Sequence, residues 1–301
     1  MSIFPRAITG PHLGDRSASA ILARMSACPR KTTKAKIGSL LAAAALCGVA
    51  CLPASGPARA AAAAPAVAAA ADLKFALAEV AAQFTKDTGQ DVRITYGSSG
   101  TFAAQLENGA PFEVFLSADE AFVFRLADRG LTRDRGALYA TGRIVLFAPH
   151  GSALKVDGDL KDLKAALADG RIRHFAIANP LHAPYGRAAR AALQHAGLWA
   201  AIEPKLVLGE NAGQAMQFAA TGGSQGGIVP LALSRAPEIA KLGAFAPIPA
   251  DWHGGEPLRQ RMVLMKNAGA AAAAFYRYLR EAPARAILVR HGFALPGEAA
   301  P

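Results

Sequence analysis

Residues 95–106 of the 301-residue chain read TYGSSGTFAAQL, and this stretch does most to decide the fold. A strand-like segment ends at Tyr96, a Gly/Ser turn follows, and helical spacing begins at once with Phe102 and Leu106. Such a turn directs backbone N–H groups and serine hydroxyls at one point, where the positive end of the helix dipole also lies. The stretch therefore predicts an anion cradle made of neutral donors, although an ordinary N-capped helix gives the same pattern.

The first 60 residues have the organisation of a secretory signal peptide behind an N-terminal extension. A basic patch at 30–36 precedes the apolar run 37–52, which is too short for a membrane anchor. Small residues flank Arg59, so we expect cleavage after Ala60 and export to the periplasm. Met25 directly precedes the basic patch and is an alternative start.

Charge and cysteine content both change once this segment is removed. Residues 1–60 carry +7 of the formal net charge of +11, which leaves +4 for residues 61–301. A net charge this small does not indicate a nucleic-acid-binding surface. Cys28, Cys47 and Cys51 all precede Ala60, so the mature protein is expected to have no disulfide, thiolate or cysteine-based metal site. Lipid anchoring at Cys51 is not expected, because Gly48 stands where a leucine is usual.

The mature chain alternates strand-like and helix-like segments, which predicts βαβ units and mainly parallel sheets with flanking helices. Strands are expected at 66–71, 91–96, 112–116, 142–148, 174–178, 204–208, 226–229 and 258–265. Helices are expected at 73–88, 101–108, 121–129, 158–169, 186–196, 212–221, 268–281 and 282–291. Ligands of such sheets bind where the strands end and the helices begin.

Three more strand-to-helix turns share the character of the opening one. Ser117 to Glu120 leaves one strand, and 178–186 leaves another with Pro184 suited to a first helical turn. Asp72 is the expected N-cap of the helix that follows the first strand. These turns support the anion-binding interpretation of the Gly/Ser turn.

Taken in order, these segments resemble the molybdate-binding proteins of bacterial ABC uptake systems. The resemblance is carried by AAADL at 69–73, GSSGT at 97–101, GAPFEVFLSAD at 109–119, NPLHAPYG at 179–186 and GIV at 227–229. The tail adds AFYRYL at 274–279 and RHGF at 290–293. Nearly all of 66–295 is covered, and the run at 109–119 is its most specific part.

The resemblance implies an α/β chain with the two-lobed periplasmic binding protein fold (type II, venus flytrap). It places the signal peptide and extension at 1–60, lobe I at 61–144 plus 246–301, and lobe II at 145–245. The ligand is then held between the lobes and sequestered from water when the hinge closes.

The resemblance also implies the site. Ser99 falls on the family's ligand serine beside Ser98, while Ala118 and Ala183 fall on backbone N–H donors. These residues would reach molybdenum only through the oxygens of molybdate or tungstate, with no cofactor. Neutral donors suffice, because a fully ionised oxyanion needs only hydrogen bonds. The implied partners are a membrane permease and its ATPase, and we expect a monomer.

Two positions depart from the family pattern. Asp72 stands where a ligand serine is frequent, and its carboxylate would repel a dianion. Asp72 is therefore expected to cap its helix and turn away; otherwise it accepts a proton from a protonated anion, which favours a phosphate-like ligand. Pro230 stands where a tyrosine hydroxyl is common, and Tyr185 or Tyr96 is a candidate replacement.

Rival functions are weaker on the residues. The turn at 97–100 lacks the lysine of a P-loop and the spacing of a G-x-S-x-G elbow, and no activated nucleophile is visible, so we predict no enzyme. The histidines lack metal-ligand spacing, and His182 is interpreted as a bystander. An effector-binding module of a transcription regulator would need a helix-turn-helix and no signal peptide. A binding protein for phosphate, sulfate or a small organic anion remains the alternative.

Overall fold

The structure is a computed structural model that describes residues 64–254 and 258–297. The expected signal peptide, its cleavage site and the question of lipidation at Cys51 lie outside the described residues. The described residues belong to one compact unit. None of their helices is both long and apolar enough to cross a membrane.

Ten strands are found in the described part of the chain. They are Ala66–Ala70 (β1), Arg93–Gly97 (β2), Val114–Ser117 (β3), Ala137–Gly142 (β4), Ile144–Pro149 (β5), Phe175–Ala178 (β6), Leu206–Gly209 (β7), Gly227–Pro230 (β8), Gly243–Pro247 (β9) and Leu258–Leu264 (β10). They form two five-stranded sheets, in the orders β2-β1-β3-β10-β4 and β7-β6-β8-β5-β9. We call the part built on the first sheet lobe I and the part built on the second lobe II.

The same residues form eleven α-helices that flank the sheets. They are Lys74–Thr88 (α1), Ser99–Glu107 (α2), Glu120–Asp128 (α3), Lys161–Ala168 (α4), Pro184–His195 (α5), Trp199–Ile202 (α6), Ala212–Ala220 (α7), Leu231–Ser234 (α8), Pro237–Ala240 (α9), Ala270–Tyr278 (α10) and Ala282–Arg290 (α11). Short 3-10 turns cover Ala71–Leu73, Glu203–Lys205 and Ala250–His253.

The helix starts follow from local chemistry. Ser98 precedes α2 with extended backbone but makes no side-chain cap bond, whereas the Asp119 carboxylate accepts from the Ala121 N–H at 2.8 Å and caps α3. Pro184 opens α5, where its missing N–H costs nothing. Three of the four predicted strand-to-helix turns, those that open α2, α3 and α5, are thus present.

The expectation of mainly parallel sheets needs correction. In each sheet three strands run parallel, β2-β1-β3 and β7-β6-β8, while the pairings of β10 and of β5 are antiparallel. The antiparallel strands are those that enter a sheet after the chain has crossed between the lobes. Hydrophobic alternation does not encode strand direction, so the sequence pattern did not reveal them.

The lobe crossings also explain where one predicted strand begins. The strand expected at 142–148 is β5, which begins at Ile144 in lobe II, because Gly142 ends β4 in lobe I. The chain returns between β9 and β10. Strands β4 and β9, at the edges of the two sheets, were not predicted.

Each sheet is covered by apolar side chains on both faces. On β1, the side chains of Val67 and Ala69 belong to the core that includes α1. Ala68 points to the other face of the sheet and belongs to the core that includes Phe102 of α2. Along β5, Leu146 and Phe147 likewise enter different cores. Burial on both faces holds the carboxyl ends of the parallel strands in position around the site.

Candidate functional site

The five binding residues implied by the resemblance line one cavity, and all five are buried. A small pocket lies between the carboxyl ends of β1, β2 and β3 in lobe I and the start of α5 in lobe II. The lining consists of Ala70, Ala71, Asp72, Gly97, Ser98, Ser99, Ala118, Ala183, Pro184, Tyr185 and Ala212. It contains no lysine, arginine or histidine, so it offers an anion only neutral donors.

Ser99 lies at the first position of α2 and is 1% exposed. Its hydroxyl oxygen accepts from the Ala118 N–H at 3.0 Å, which leaves the hydroxyl proton to donate. The two residues come from neighbouring turns at the ends of β2 and β3. Sequence reasoning paired them only by resemblance, and the structure brings them into direct contact.

Ser98 joins the two lobes. Its hydroxyl donates to the His182 carbonyl oxygen at 2.5 Å and lies 3.0 Å from Nδ1 of the same residue. The Gly100 N–H donates to that carbonyl at 3.0 Å. His182, interpreted from sequence as a bystander to the ligand, is absent from the cavity lining, and its carbonyl is the lobe II partner of the Gly/Ser turn. The only sequence signal was its place in the turn after β6.

Asp72 does not cap its helix, contrary to the expectation. The chain turns earlier, in the 3-10 segment Ala71–Leu73, and no side-chain cap bond is made there or at the start of α1. Instead Oδ2 accepts from the Tyr185 hydroxyl at 2.9 Å and from Gln260 Nε2 at 2.6 Å. The other oxygen, Oδ1, is buried with no hydrogen-bond partner among the described residues.

Burial raises the pKa of the Asp72 carboxyl to about 6, and the bonds from Gln260 and Tyr185 limit the rise. Gln260 is itself held by the Tyr139 hydroxyl, which donates to Oε1 at 2.7 Å. Burial, with the Asp72 charge adding to it, raises the pKa of both phenols well above the ordinary range. Sequence reasoning missed Gln260, although a polar residue at a buried position of a strand was a usable signal.

The candidates proposed to replace the tyrosine missing at position 230 differ in placement. Tyr185 lines the cavity, but its hydroxyl donates to Asp72. Tyr96 and Pro230 are not in the lining. The Ala183 N–H, implied as a donor to the ligand, donates to the Asn179 carbonyl at 2.9 Å. The ligand roles of Ala118 and Ala183 therefore stay predictions.

Cationic side chains near the cleft are paired outside the cavity. Arg187 of α5 forms an ion pair with Asp119 of lobe I, which makes a further bridge between the lobes. Arg259 and Arg261 pair with Glu120. Within the described ranges no group of three or more His, Cys, Asp or Glu side chains could hold a metal ion directly. The arrangement can bind an anion through hydrogen bonds and enclose it between two lobes.

Comparison with known proteins agrees with this geometry. Residues 65–294 match the family described as bacterial extracellular solute-binding protein. The molybdate-binding protein ModA of Azotobacter vinelandii is 38% identical over 234 residues, which are 76% of this chain and 89% of that protein. ModA of Rhodobacter capsulatus is 37% identical over 219 residues, covering 71% of this chain and 82% of the relative.

Solved structures agree as well. The periplasmic molybdate-binding protein of Azotobacter vinelandii matches with a TM-score of 0.70 at 34% identity, covering 77% of this chain and 99% of that one. The sulfate-binding protein SubI from Mycobacterium tuberculosis, 18% identical with a TM-score of 0.62, shares the fold. This chain thus belongs to the family of bacterial extracellular solute-binding proteins, in its ModA group.

Proposed function

We propose that this protein captures molybdate or tungstate between its lobes and delivers the anion to a membrane ABC permease driven by an ATPase. One observation carries the proposal: a pocket at the start of α2 and α5 that is lined by the Ser99 hydroxyl, whose proton is left to donate, and by no lysine, arginine or histidine. Its ModA relatives, named for molybdate, support the choice of anion.

The chemistry of the anion suits such a cavity. Molybdate and tungstate are tetrahedral dianions at neutral pH, so each oxygen accepts hydrogen bonds without offering a proton. First-turn N–H groups of a helix lack intrahelical acceptors and carry the positive end of the dipole. The Ser99 hydroxyl adds a side-chain donor. The anion is thus held without a buried counter-charge, and the metal is reached only through its oxygens.

The two lobes supply the release step. We propose residues 61–144 with 246–301 as lobe I and 145–245 as lobe II. The crossings at Arg143 and between β9 and β10 support a division close to these bounds, with Ile144 and residues 246–247 in strands of the lobe II sheet. Closure brings His182 and Tyr185 of lobe II onto lobe I, and opening at the permease frees the anion. The protein acts as an exported monomer in the periplasm, with no catalytic step and no cofactor.

Calorimetric titration of the purified protein tests the proposal. Molybdate and tungstate should bind at least a hundredfold more tightly than sulfate or phosphate. A preference for phosphate or sulfate would overturn the choice of anion, and the absence of binding to all four would overturn the site.

A further inference from the structure

Asp72 lines the proposed oxyanion cavity, and one oxygen of its buried carboxyl has no hydrogen-bond partner among the described residues. The residue is 1% exposed and lines the cavity, and Oδ2 is occupied by Tyr185 and Gln260. Oδ1 is buried without a hydrogen-bond partner among the described residues. A buried polar atom left in this way is costly unless a ligand or a proton completes it.

Among the residues that the structure describes, no cation neutralises this carboxyl. The groups that lower its pKa are the neutral donors Gln260 and Tyr185 and the backbone N–H groups of Asp72 and Leu73. The other titratable side chain facing it is the phenol of Tyr139, on β4. Of the elements that pack against the 3-10 turn, α7 and α8 contain no ionisable residue.

The remaining neighbouring elements supply no counter-charge either. At the start of α1 the Lys74 side chain is exposed, with its ammonium 5.6 Å from the centre of the Phe75 ring. On β2, Arg93 bonds to the Ala64 carbonyl, and Tyr96 does not line the cavity. An ionised Asp72 beside a bound dianion would therefore be a repulsive, uncompensated pair.

We infer that Asp72 binds the oxyanion as a neutral carboxylic acid, taking one proton from solvent on capture and donating it from Oδ1 to a ligand oxygen. This inference rests on the proposed function and identifies Asp72 as the residue of that site which selects among anions. The carboxylate and one proton become a carboxylic acid, the dianion keeps its charge, and no other bond is made or broken. Tyr185 and Gln260 keep Oδ2 as the acceptor, so the proton is directed to Oδ1.

The geometry explains how one chain favours a fully ionised anion. A protonated Asp72 offers a donor, which suits molybdate and tungstate. Hydrogen phosphate brings its own proton and would need an acceptor there. The pKa of about 6 for the buried carboxyl shows that protonation costs little near neutral pH even before an anion is added. A bound dianion raises that pKa further.

Molybdate titration of the full-length protein as purified tests the inference. In two buffers of different ionisation enthalpy, the binding heats should reveal uptake of up to one proton. Between about pH 6.5 and 8.5 the molybdate affinity should fall by up to about tenfold per pH unit. Asp72→Asn presents an amide donor of the same shape, so it should bind molybdate with little dependence on pH. Asp159→Asn, at an exposed carboxylate that pairs with Lys161 outside the cavity lining, should behave like the parent.

Three outcomes would overturn the inference, and they are distinguishable. Molybdate binding with no proton uptake and no slope with pH contradicts this role of Asp72 while the proposed function stands. Phosphate binding that is lost in Asp72→Asn means that an ionised carboxylate accepts a ligand proton. A protein that binds neither molybdate nor tungstate at any pH removes the proposed function together with the inference. The proton-uptake measurement needs no variant, so it remains decisive if Asp72→Asn fails to fold.

Discussion

The backbone N–H of Gly100 donates to the carbonyl oxygen of His182 at 3.0 Å, so the first turn of α2 in lobe I touches the backbone of lobe II directly. A Cβ at position 100 would lie 2.6 Å from that oxygen. The absence of a side chain at this residue is therefore a condition for the two lobes to meet. Three further contacts cross the cleft beside it. In lobe I they come from Ser98, Asp119 and Asp72, and their partners in lobe II are His182, Arg187 and Tyr185, respectively.

Gly100→Ala should weaken molybdate binding by more than about tenfold, because the added methyl group prevents closure and lowers the binding-competent fraction. Thermal stability should be unchanged or slightly higher, since alanine favours a helix over glycine. Titration calorimetry would measure the affinity for molybdate, and small-angle scattering with and without molybdate would measure closure. Thermal unfolding would measure the stability. The neighbouring Thr101→Ala, at an exposed position, is the matched control. Equal affinity for the two variants would refute the role of this contact.

Ser99→Ala should cost about 1–3 kcal/mol of molybdate binding, because the hydroxyl is placed to donate to a charged oxygen. The substitution also removes the acceptor of the Ala118 N–H, which the ligand can replace. Isothermal titration at fixed pH measures the loss. Ser99→Cys keeps a weak donor, so its affinity for molybdate should lie between that of the parent and that of Ser99→Ala. Unchanged affinity in Ser99→Ala would exclude the hydroxyl from the site.

The ion pair between Arg187 and Asp119 should contribute modestly to closure, since both side chains are partly exposed. A double-mutant cycle with Arg187→Gln and Asp119→Asn should give a coupling of about 0.2–1 kcal/mol in molybdate binding, and less at high salt. Asp119→Asn retains an oxygen that can cap α3. Arg259→Gln breaks a pair with Glu120 inside lobe I and should leave affinity unchanged. A coupling of zero at low salt would show that this bridge does not stabilise the closed form.

Asp72 should make stability depend on pH in the direction opposite to an ordinary ion-paired aspartate. Its pKa is raised from 3.8 to about 6 in the folded protein, so its contribution is fully present below about pH 4 and is lost as pH rises through 6. The loss is at most about 3 kcal/mol in the free energy of unfolding. Urea unfolding of the parent and Asp72→Asn would measure it as a difference.

The difference between parent and Asp72→Asn is needed because His253 changes the free energy of unfolding with pH in the opposite direction. Burial lowers the pKa of His253 from 6.5 to about 4, with Arg143 adding to the effect. Its contribution is present above about pH 6.5 and is lost as pH falls through 4. A difference between parent and Asp72→Asn that stays constant from pH 4 to 7 would contradict the burial of the Asp72 carboxyl.

Phe275 should be a large contributor to the stability of lobe I. Its ring is fully buried and packs edge-on against Phe84 with the ring centres 5.2 Å apart. Phe275→Ala should reduce the free energy of unfolding by about 3–5 kcal/mol in urea. Leu181→Ala, at a position that is 85% exposed, should change it by less than about 0.5 kcal/mol. Similar losses in the two variants would contradict the assigned core.

Much of the fold was predictable because its signals are local. The helix at 99–107 and the strand at 114–117 were expected within two residues of their bounds, since turn chemistry and apolar periodicity lie within short windows. Strands β4 and β9 were missed because each is held by partners far away in the chain, β10 and β5. The antiparallel pairings were missed for the same reason.

The sequence by itself determined the strand-to-helix turns, the neutral donors they carry and, through resemblance, five of the residues that line the cavity. Only the tertiary structure decided what those residues do to each other. It turned Asp72 from a helix cap into a buried carboxyl held by Tyr185 and Gln260, and it made His182 the partner of the Gly/Ser turn. The physical reason is that hydrogen bonds between residues 84 to 188 positions apart depend on how two lobes pack. Propensity and spacing report only on neighbours along the chain.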